Sequence, residues 1–256
     1  MASTKPTVLV TGASKGIGLA VTQYLLDKFQ ANVVAISRAP TPELNALKSE
    51  ALLHIQCDIA DEQSLTSAVS VAVDTYGSID AVVLNAGTLE PLCRIGDNTP
   101  LPLWKKHFDV NFFSLVTAVK TTLPHLRKSP LRGRIVFVSS GAAVKGTAGW
   151  GPYNASKAAM NSLCRTLSEE EPDVISVSVR PGMVDTGMQE ILRQTGATHM
   201  SKAQHDVFLG AHADGKLVKP EDCGHVIAAL SLEAPPELSG EFVSWDSEEC
   251  RAFRRK

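Results

Sequence analysis

Thr7-Val8-Leu9-Val10-Thr11 runs directly into Gly12-Ala13-Ser14-Lys15-Gly16-Ile17-Gly18, and apolar residues then recur at helical spacing to about Phe29. Five residues rich in β-branched side chains, a glycine turn and an amphipathic helix make a strand, turn and helix unit. Glycines let backbone N–H groups approach an anion closely, and the N-terminus of the next helix adds the positive end of its dipole. A glycine pattern alone reads equally well as a plain turn. Here the strand before it and the helix after it favour a pyrophosphate cradle.

Working outward, Asn32 to Ser37 and Leu52 to Gln56 read as two further buried strands, with a short helix predicted over Thr41 to Ser49 and Pro42 in its first turn. Asp61-Glu62 opens a helix that ends near Tyr76-Gly77. Ile79 to Leu84, Ile135 to Ser139, Val174 to Val179 and Glu241 to Ser244 supply four more strands. Leu101 to Arg127 predicts a long helical region interrupted around Asp109 to Asn111, and Tyr153 to Glu170 and Pro220 to Leu232 predict two others. Strands alternating with helices at this rhythm need crossover connections, hence a mostly parallel sheet covered on both faces. Between Val184 and Lys219 the pattern loosens into polar residues, glycines and short helical stretches, which predicts a lid over a site and not a linker.

The 256 residues, 44% hydrophobic and 20% charged, suit one folded α/β domain. A formal charge of -2 offers no electrostatic case for a nucleic-acid or anionic-membrane partner, and the basic run from Arg251 to Lys256 reads as a solvated tail. Cysteines 57, 93, 164, 223 and 250 are scattered and odd in number, which predicts free thiols in a reducing, cytoplasmic compartment. Met1 to Pro6 is short and polar, with no secretory h-region, and no apolar run has the length of a membrane span.

In an open parallel sheet, ligands bind at the carboxyl ends of the strands, and the chemistry-bearing residues fall there repeatedly. The second strand ends in Ser37-Arg38, where an acid would take the adenosine ribose 2′-hydroxyl of NAD. No acid is present, and Arg38 with Lys15 can instead pair with a 2′-phosphate, so NADPH is expected over NADH. Asp58, past the third strand, can accept from an adenine amino group or cap the following turn. Asn85-Ala86-Gly87 follows the fourth strand and lets backbone approach the cofactor, and Ser139-Ser140 ends the fifth. Tyr153 and Lys157 are four apart on one helix face; a fixed ammonium beside a phenol favours phenolate and makes the phenol a usable acid or base. Alone, that spacing equally describes a surface pair.

Together these residues resemble the short-chain dehydrogenase/reductase family over nearly the whole chain. The glycine motif matches Thr11 to Gly18, the active-site pair matches Tyr153 and Lys157, the catalytic Ser thirteen residues before the Tyr matches Ser140, and the catalytic Asn matches Asn111. Pro181-Gly182 and Thr186 match the segment that meets the nicotinamide carboxamide, whereas Leu84 departs from the Asn many members carry there. The resemblance implies a three-layer α-β-α, doubly wound Rossmann fold with a seven-stranded parallel sheet, as a single domain over residues 1–256 with a substrate lid at about 184–219. It implies that NADPH/NADP+ is held by Gly12, Ser14, Lys15, Gly16, Ile17, Gly18, Ser37, Arg38, Asp58, Ile59, Asn85, Ala86, Gly87, Tyr153, Lys157, Pro181, Gly182, Val184 and Thr186.

The stretches Arg180 to Gln189 and Ser239 to Trp245 are similar to the sepiapterin reductase and benzil reductase branch, whose members reduce ketones or vicinal diketones with NADPH. On that resemblance Tyr153 donates a proton to the carbonyl oxygen, Lys157 holds the nicotinamide ribose and lowers the Tyr pKa, Ser140 polarises the carbonyl, and Asn111 anchors a water that resupplies protons. Leu89, Trp150 and Met188 are expected in the substrate pocket with Ser140 and Tyr153. Helices at about 111–127 and 153–170, apolar over more than one face, are expected to pair in a homodimer. The alternative is a non-catalytic NADPH-binding regulatory protein on the same fold, against which the presence of all four catalytic positions argues. A metal hydrolase built on His199, His205 and His212 lacks ligand spacing, and Cys57 and Cys164 read as core packing, so no metal and no nucleophilic cysteine are expected.

Overall fold

The computed structural model describes residues 5–255; residues 1–4 of the polar N-terminus and Lys256 of the basic tail lie outside the described residues. The strands are β1 (Thr7–Thr11), β2 (Asn32–Ser37), β3 (Leu52–Gln56), β4 (Ala81–Leu84), β5 (Arg134–Val138), β6 (Ile175–Arg180) and β7 (Phe242–Ser244). They form one seven-stranded sheet in the order β3-β2-β1-β4-β5-β6-β7, every neighbour parallel. The chain winds outward from β1 to β3, then returns to start again at β4 on the other side of β1. That reversal opens a crevice beyond the carboxyl ends of β1 and β4.

The helices are α1 (Gly16–Asp27), α2 (Pro42–Ala46), α3 (Glu62–Tyr76), α4 (Leu101–Phe108), α5 (Ser114–Leu126), α6 (Gly151–Glu170), α7 (Gly187–Thr195), α8 (Lys202–Ala213) and α9 (Pro220–Glu233). Because side chains alternate along a strand, each central strand feeds two cores. Val8, Val10, Val33, Ala35, Ala81 and Val83 pack with Val21 and Leu25 of α1 and Val226 and Leu230 of α9. Leu9, Val34, Ile36, Val82 and Leu84 pack the other way, against Leu65 and Val69 of α3, Leu115 of α5 and Met160 of α6. This is the expected α-β-α doubly wound Rossmann-like architecture, and it explains strands that are apolar at almost every position.

Asp61 caps α3 by accepting from Ser64 N at 2.6 Å, and Gly77 ends that helix at φ 79°, where a side chain would be strained. The interruption expected around Asp109 to Asn111 is a π-helical turn, Asp109–Phe113, joining α4 to α5. Three details differ from the sequence expectation. The helix expected over Thr41 to Ser49 is only Pro42–Ala46, with Leu44 its one buried residue. The loose segment 184–219 contains a regular twelve-residue helix, α8, started by the Ser201 hydroxyl accepting from Gln204 N. The basic tail is docked: Arg254 donates to the Asp246 carbonyl, and the Phe253 carbonyl bonds His225 at 2.8 Å. Among the described residues no helix is long and apolar enough to cross a membrane.

Candidate active site

The first turn of α1 is the first part of the site. Gly12 sits at φ 68° with Ala86 Cα 2.9 Å from where a Cβ would be, and a Cβ on Gly18 would fall 2.2 Å from the Gly12 carbonyl oxygen. Neither position accepts a side chain without moving backbone. The Thr11 hydroxyl accepts from Asn85 N and Ala86 N at 3.0 and 3.1 Å, and Asn85 Nδ2 donates to the Thr11 carbonyl at 2.9 Å. The Asn85 side chain therefore braces the glycine turn against β4, while the backbone of Ala86 and Gly87 faces the cleft. Unlike α3, α1 begins with no side-chain cap and no acid in its first turn. An uncapped N-terminus behind a left-handed glycine fits a pyrophosphate, which would supply the missing negative charge.

One continuous cleft of about 1990 Å³ runs from this turn across the sheet end. Pockets for one small ligand measure about 300–1000 Å³, so this volume suits a dinucleotide with a second molecule beside it. The cleft is lined by every sequence-predicted site residue except Gly18, buried against Gly12, and Asn111. At the end beside β2, Lys15 and Arg38 are exposed and make no salt bridge among the described residues. Ser37 is less available: its buried hydroxyl donates to the Ala39 carbonyl at 2.9 Å and lies 2.9 Å from His54 Nε2. Exposed Asp58 uses one carboxylate oxygen on Ala60 N at 3.1 Å, beside buried Ile59, so its cap role is real and one oxygen stays free. Pro181, Gly182 at φ 81°, Val184 and Thr186 form the opposite wall, and Thr186 Cγ2 comes within 3.1 Å of a Cβ placed on Gly16.

At the other end Tyr153 and Lys157 are buried on α6, with the Lys157 ammonium 5.7 Å from the centre of the Tyr153 ring. Lys157 Nζ donates to the Val138 carbonyl at 2.8 Å, which ties α6 to the end of β5. Burial pushes the Tyr153 phenol above its ordinary value, and the Ser140 hydroxyl offsets part of that rise. Burial also lowers the Lys157 ammonium to about 8. The expected depression of the phenol by Lys157 is thus overridden by desolvation of both groups. Ser139 spends its hydroxyl on Asn161 Oδ1 at 2.6 Å, leaving Ser140, whose Oγ accepts from Ala142 N at 3.1 Å, beside the phenol.

Asn111 lies on the π turn behind Thr88, outside the cleft lining. Its fully buried carboxamide accepts from Thr88 N at 2.8 Å and donates to the Thr88 carbonyl at 2.8 Å and toward His107 Nε2 at 2.9 Å. Both amide protons are engaged within the protein. It clamps the loop after Gly87 to the π turn.

Leu89, Trp150 and Tyr153 join Leu192 and Met200 in a third apolar cluster, with Met188 and Phe208 packed against it. Trp150 meets Tyr153 edge-on at 5.5 Å and Phe208 at 5.4 Å. Reasoning from sequence missed Leu192 and Phe208, which α7 and α8 bring over the pocket, and also Thr88 and His107. Of these only His107 carried a signal, its spacing of four from Asn111. His205 Nε2 faces the Leu192 and Arg193 carbonyls and His199 lies 4.0 Å from Asp97; among the described residues no three potential metal-ligating side chains converge. All five cysteines are buried, and burial raises the Cys57 thiol to about 11, which leaves it inert as a nucleophile.

The sequence profile described as short chain dehydrogenase matches residues 6–197. An uncharacterized oxidoreductase of Schizosaccharomyces pombe is 43% identical, over 94% of this chain and 96% of its own. Benzil reductase ((S)-benzoin forming) of Saccharomyces cerevisiae is 35% identical, over 94% of this chain and 96% of its own. A crystal structure of a Saccharomyces cerevisiae short chain dehydrogenase/reductase superposes with a TM-score of 0.92 at 35% identity, covering 98% of this chain and 100% of that one. Members of this family use nicotinamide cofactors and act on small molecules, and the cleft has the parts for both. The chain is an oxidoreductase of the short-chain dehydrogenase/reductase family.

Proposed function

We propose that the chain is an NADPH-dependent carbonyl reductase acting on a ketone or vicinal diketone, with Tyr153 as general acid. The observation that carries this reading is the cleft that has Arg38 and Lys15, without salt-bridge partners among the described residues, at one end and buried Tyr153 and Lys157 with half-buried Ser140 at the other. A carboxylate is absent where it would repel a 2′-phosphate, and Arg38 can meet that group with two parallel hydrogen bonds.

A bound nicotinamide supplies the hydride. Gly12 to Gly18 and Pro181 to Thr186 would hold the dinucleotide, and Lys157 would hold its ribose. Ser140 donates to the substrate oxygen and stabilises the negative charge that grows there. Tyr153, kept protonated by burial, gives that oxygen its proton. Residues 184–219 act as the lid of a single catalytic domain: Leu192 and Phe208 exclude water from a pocket whose apolar wall suits an aromatic or hydrophobic ketone. The benzil reductase relative supports a vicinal diketone. NADPH oxidation measured against benzil, simple ketones and aldehydes tests the reading: turnover is expected for the aryl diketone, and none with any carbonyl would defeat it.

The enzyme is further proposed to be a cytoplasmic homodimer, in keeping with its unpaired cysteines. Met160 and Leu167 of α6 face the sheet core, while Phe113 is 55% exposed and Ala155 and Ala158 are exposed on the outer faces of the π turn and α6. Light scattering should give twice the chain mass, and Phe113→Asp should shift it to the monomer.

A further inference from the structure

His107, the last buried residue of α4, is 1% exposed beside the reacting groups and has no part in the mechanism above. Its hydrogen bonds can be assigned one after another from fixed backbone partners. Thr88 N can only donate and the Thr88 carbonyl can only accept, so the Asn111 amide has Oδ1 toward the first and Nδ2 toward the second, each at 2.8 Å. The second Nδ2 proton points to His107 Nε2 at 2.9 Å, nearer than the Ser156 hydroxyl at 3.4 Å, so this nitrogen accepts. The proton of the neutral ring therefore sits on Nδ1, where the Glu90 carbonyl waits at 2.7 Å. Ser156 Oγ lies 3.1 Å from Nε2 and 2.9 Å from the Tyr153 carbonyl, so its single hydroxyl proton is shared between the ring and the backbone of the Tyr153 turn.

We infer that His107 is a positioning residue: as the neutral Nδ1–H imidazole it locks the Asn111 carboxamide and, through Thr88 and Ser156, sets the loop after Gly87 against the Tyr153 turn. The role rests on the reductase reading above and goes beyond it by adding a residue that touches neither substrate nor cofactor. A ring protonated on both nitrogens would place an N–H against the Asn111 amide N–H, and the amide cannot turn over without losing both bonds to Thr88. The groups facing the ring are Lys157, whose charge opposes protonation, and Tyr153, edge-on at 6.2 Å; Glu90 offers its carbonyl, and Lys106 and Asp109 beside it are exposed. Burial, with Lys157, holds the imidazole below its ordinary value, so the neutral form dominates near pH 7.

His107→Leu fills the space without an acceptor, whereas His107→Gln offers Oε1 in place of Nε2. With NADPH and benzil, the Leu variant should lose about 10- to 100-fold in kcat, the effect of slight misplacement of reacting groups. Its KM for NADPH should stay within about twofold. The Gln variant should regain most of that loss. Wild-type kcat should fall on acidification below the usual imidazole range, and the Gln variant should lack this limb. Equal loss in both variants, a Leu variant at full rate, or an acid limb that persists in the Gln variant would overturn the assignment. Nitrogen-15 NMR of histidine-labelled wild type reads the ring without turnover or mutation: a proton on Nδ1 supports the role, and one on Nε2 overturns it. Should wild type reduce no carbonyl, the reductase reading falls, and the ring tautomer still decides the hydrogen-bond assignment.

Discussion

The two ends of the cleft are built from different kinds of contact. At the dinucleotide end, Gly12 to Gly18, Ser37-Arg38 and Asp58-Ile59 each follow directly on β1, β2 and β3, and the sheet register sets them side by side. At the catalytic end, Leu89, the Trp150–Tyr153 turn, Leu192 and Phe208 come from four separate segments and meet through packing. The first end presents charges and backbone donors to solvent; the second buries a phenol and an ammonium. Binding and chemistry should therefore be separable by mutation.

The sharpest break is Tyr153→Phe, which removes the proposed proton donor and keeps the ring that packs on Trp150. Reduction of a competent diketone should slow by about 10²- to 10⁴-fold. The Kd for NADPH, followed by fluorescence, should be close to that of wild type. Near-native turnover would remove Tyr153 from its role, and a matching loss of NADPH binding would show that the two ends are not separable.

Arg38→Ala attacks the other end. Loss of a charge-assisted pair worth about 1.5–3 kcal/mol should raise the Kd for NADPH by about 10- to 100-fold. NADH affinity and the rate at saturating cofactor should hold. An unchanged ratio of the two cofactor affinities would make Arg38 an ordinary solvated cation.

The smallest effect concerns Lys157, which stands between the two ends. Its folded-state pKa of about 8 lies below the ordinary 10.5, so between these values the unfolded chain binds more protons than the folded one. Stability contributed by this group therefore rises with pH from about 8 to 10.5, and the cost of burying the ammonium is present in full below that window. Denaturant midpoints of the cofactor-free protein should show this rise, and Lys157→Met should flatten it. Equal pH slopes would mean that the ammonium is effectively solvated.

The same division governs what could be read in advance. The glycine turn, Arg38, Asp58 and Tyr153 with Lys157 were legible because each is a short pattern attached to one strand end or one helix face. Ser37 was only partly legible: its position was, but not the His54 ring and Ala39 carbonyl that occupy its hydroxyl. Asn111 could be located but not its partners, since Thr88 is 23 residues away and is brought to it across the sheet end. Nothing local announced that α7 and α8 would carry Leu192 and Phe208 over the pocket, because the amphipathic pattern of α7 marks its buried face but not what that face packs against.

By itself the sequence determined the order and type of the elements, the parallel sheet and the residues present at each strand end. These follow from periodicity, turn chemistry and the need for crossovers, all of which act over a few residues. Only the tertiary structure decided that burial, and not the neighbouring ammonium, governs the Tyr153 phenol, and that Asn111 faces Thr88 and His107 instead of the cleft. Desolvation and hydrogen-bond partnership depend on what distant segments remove from water, and no local pattern encodes that.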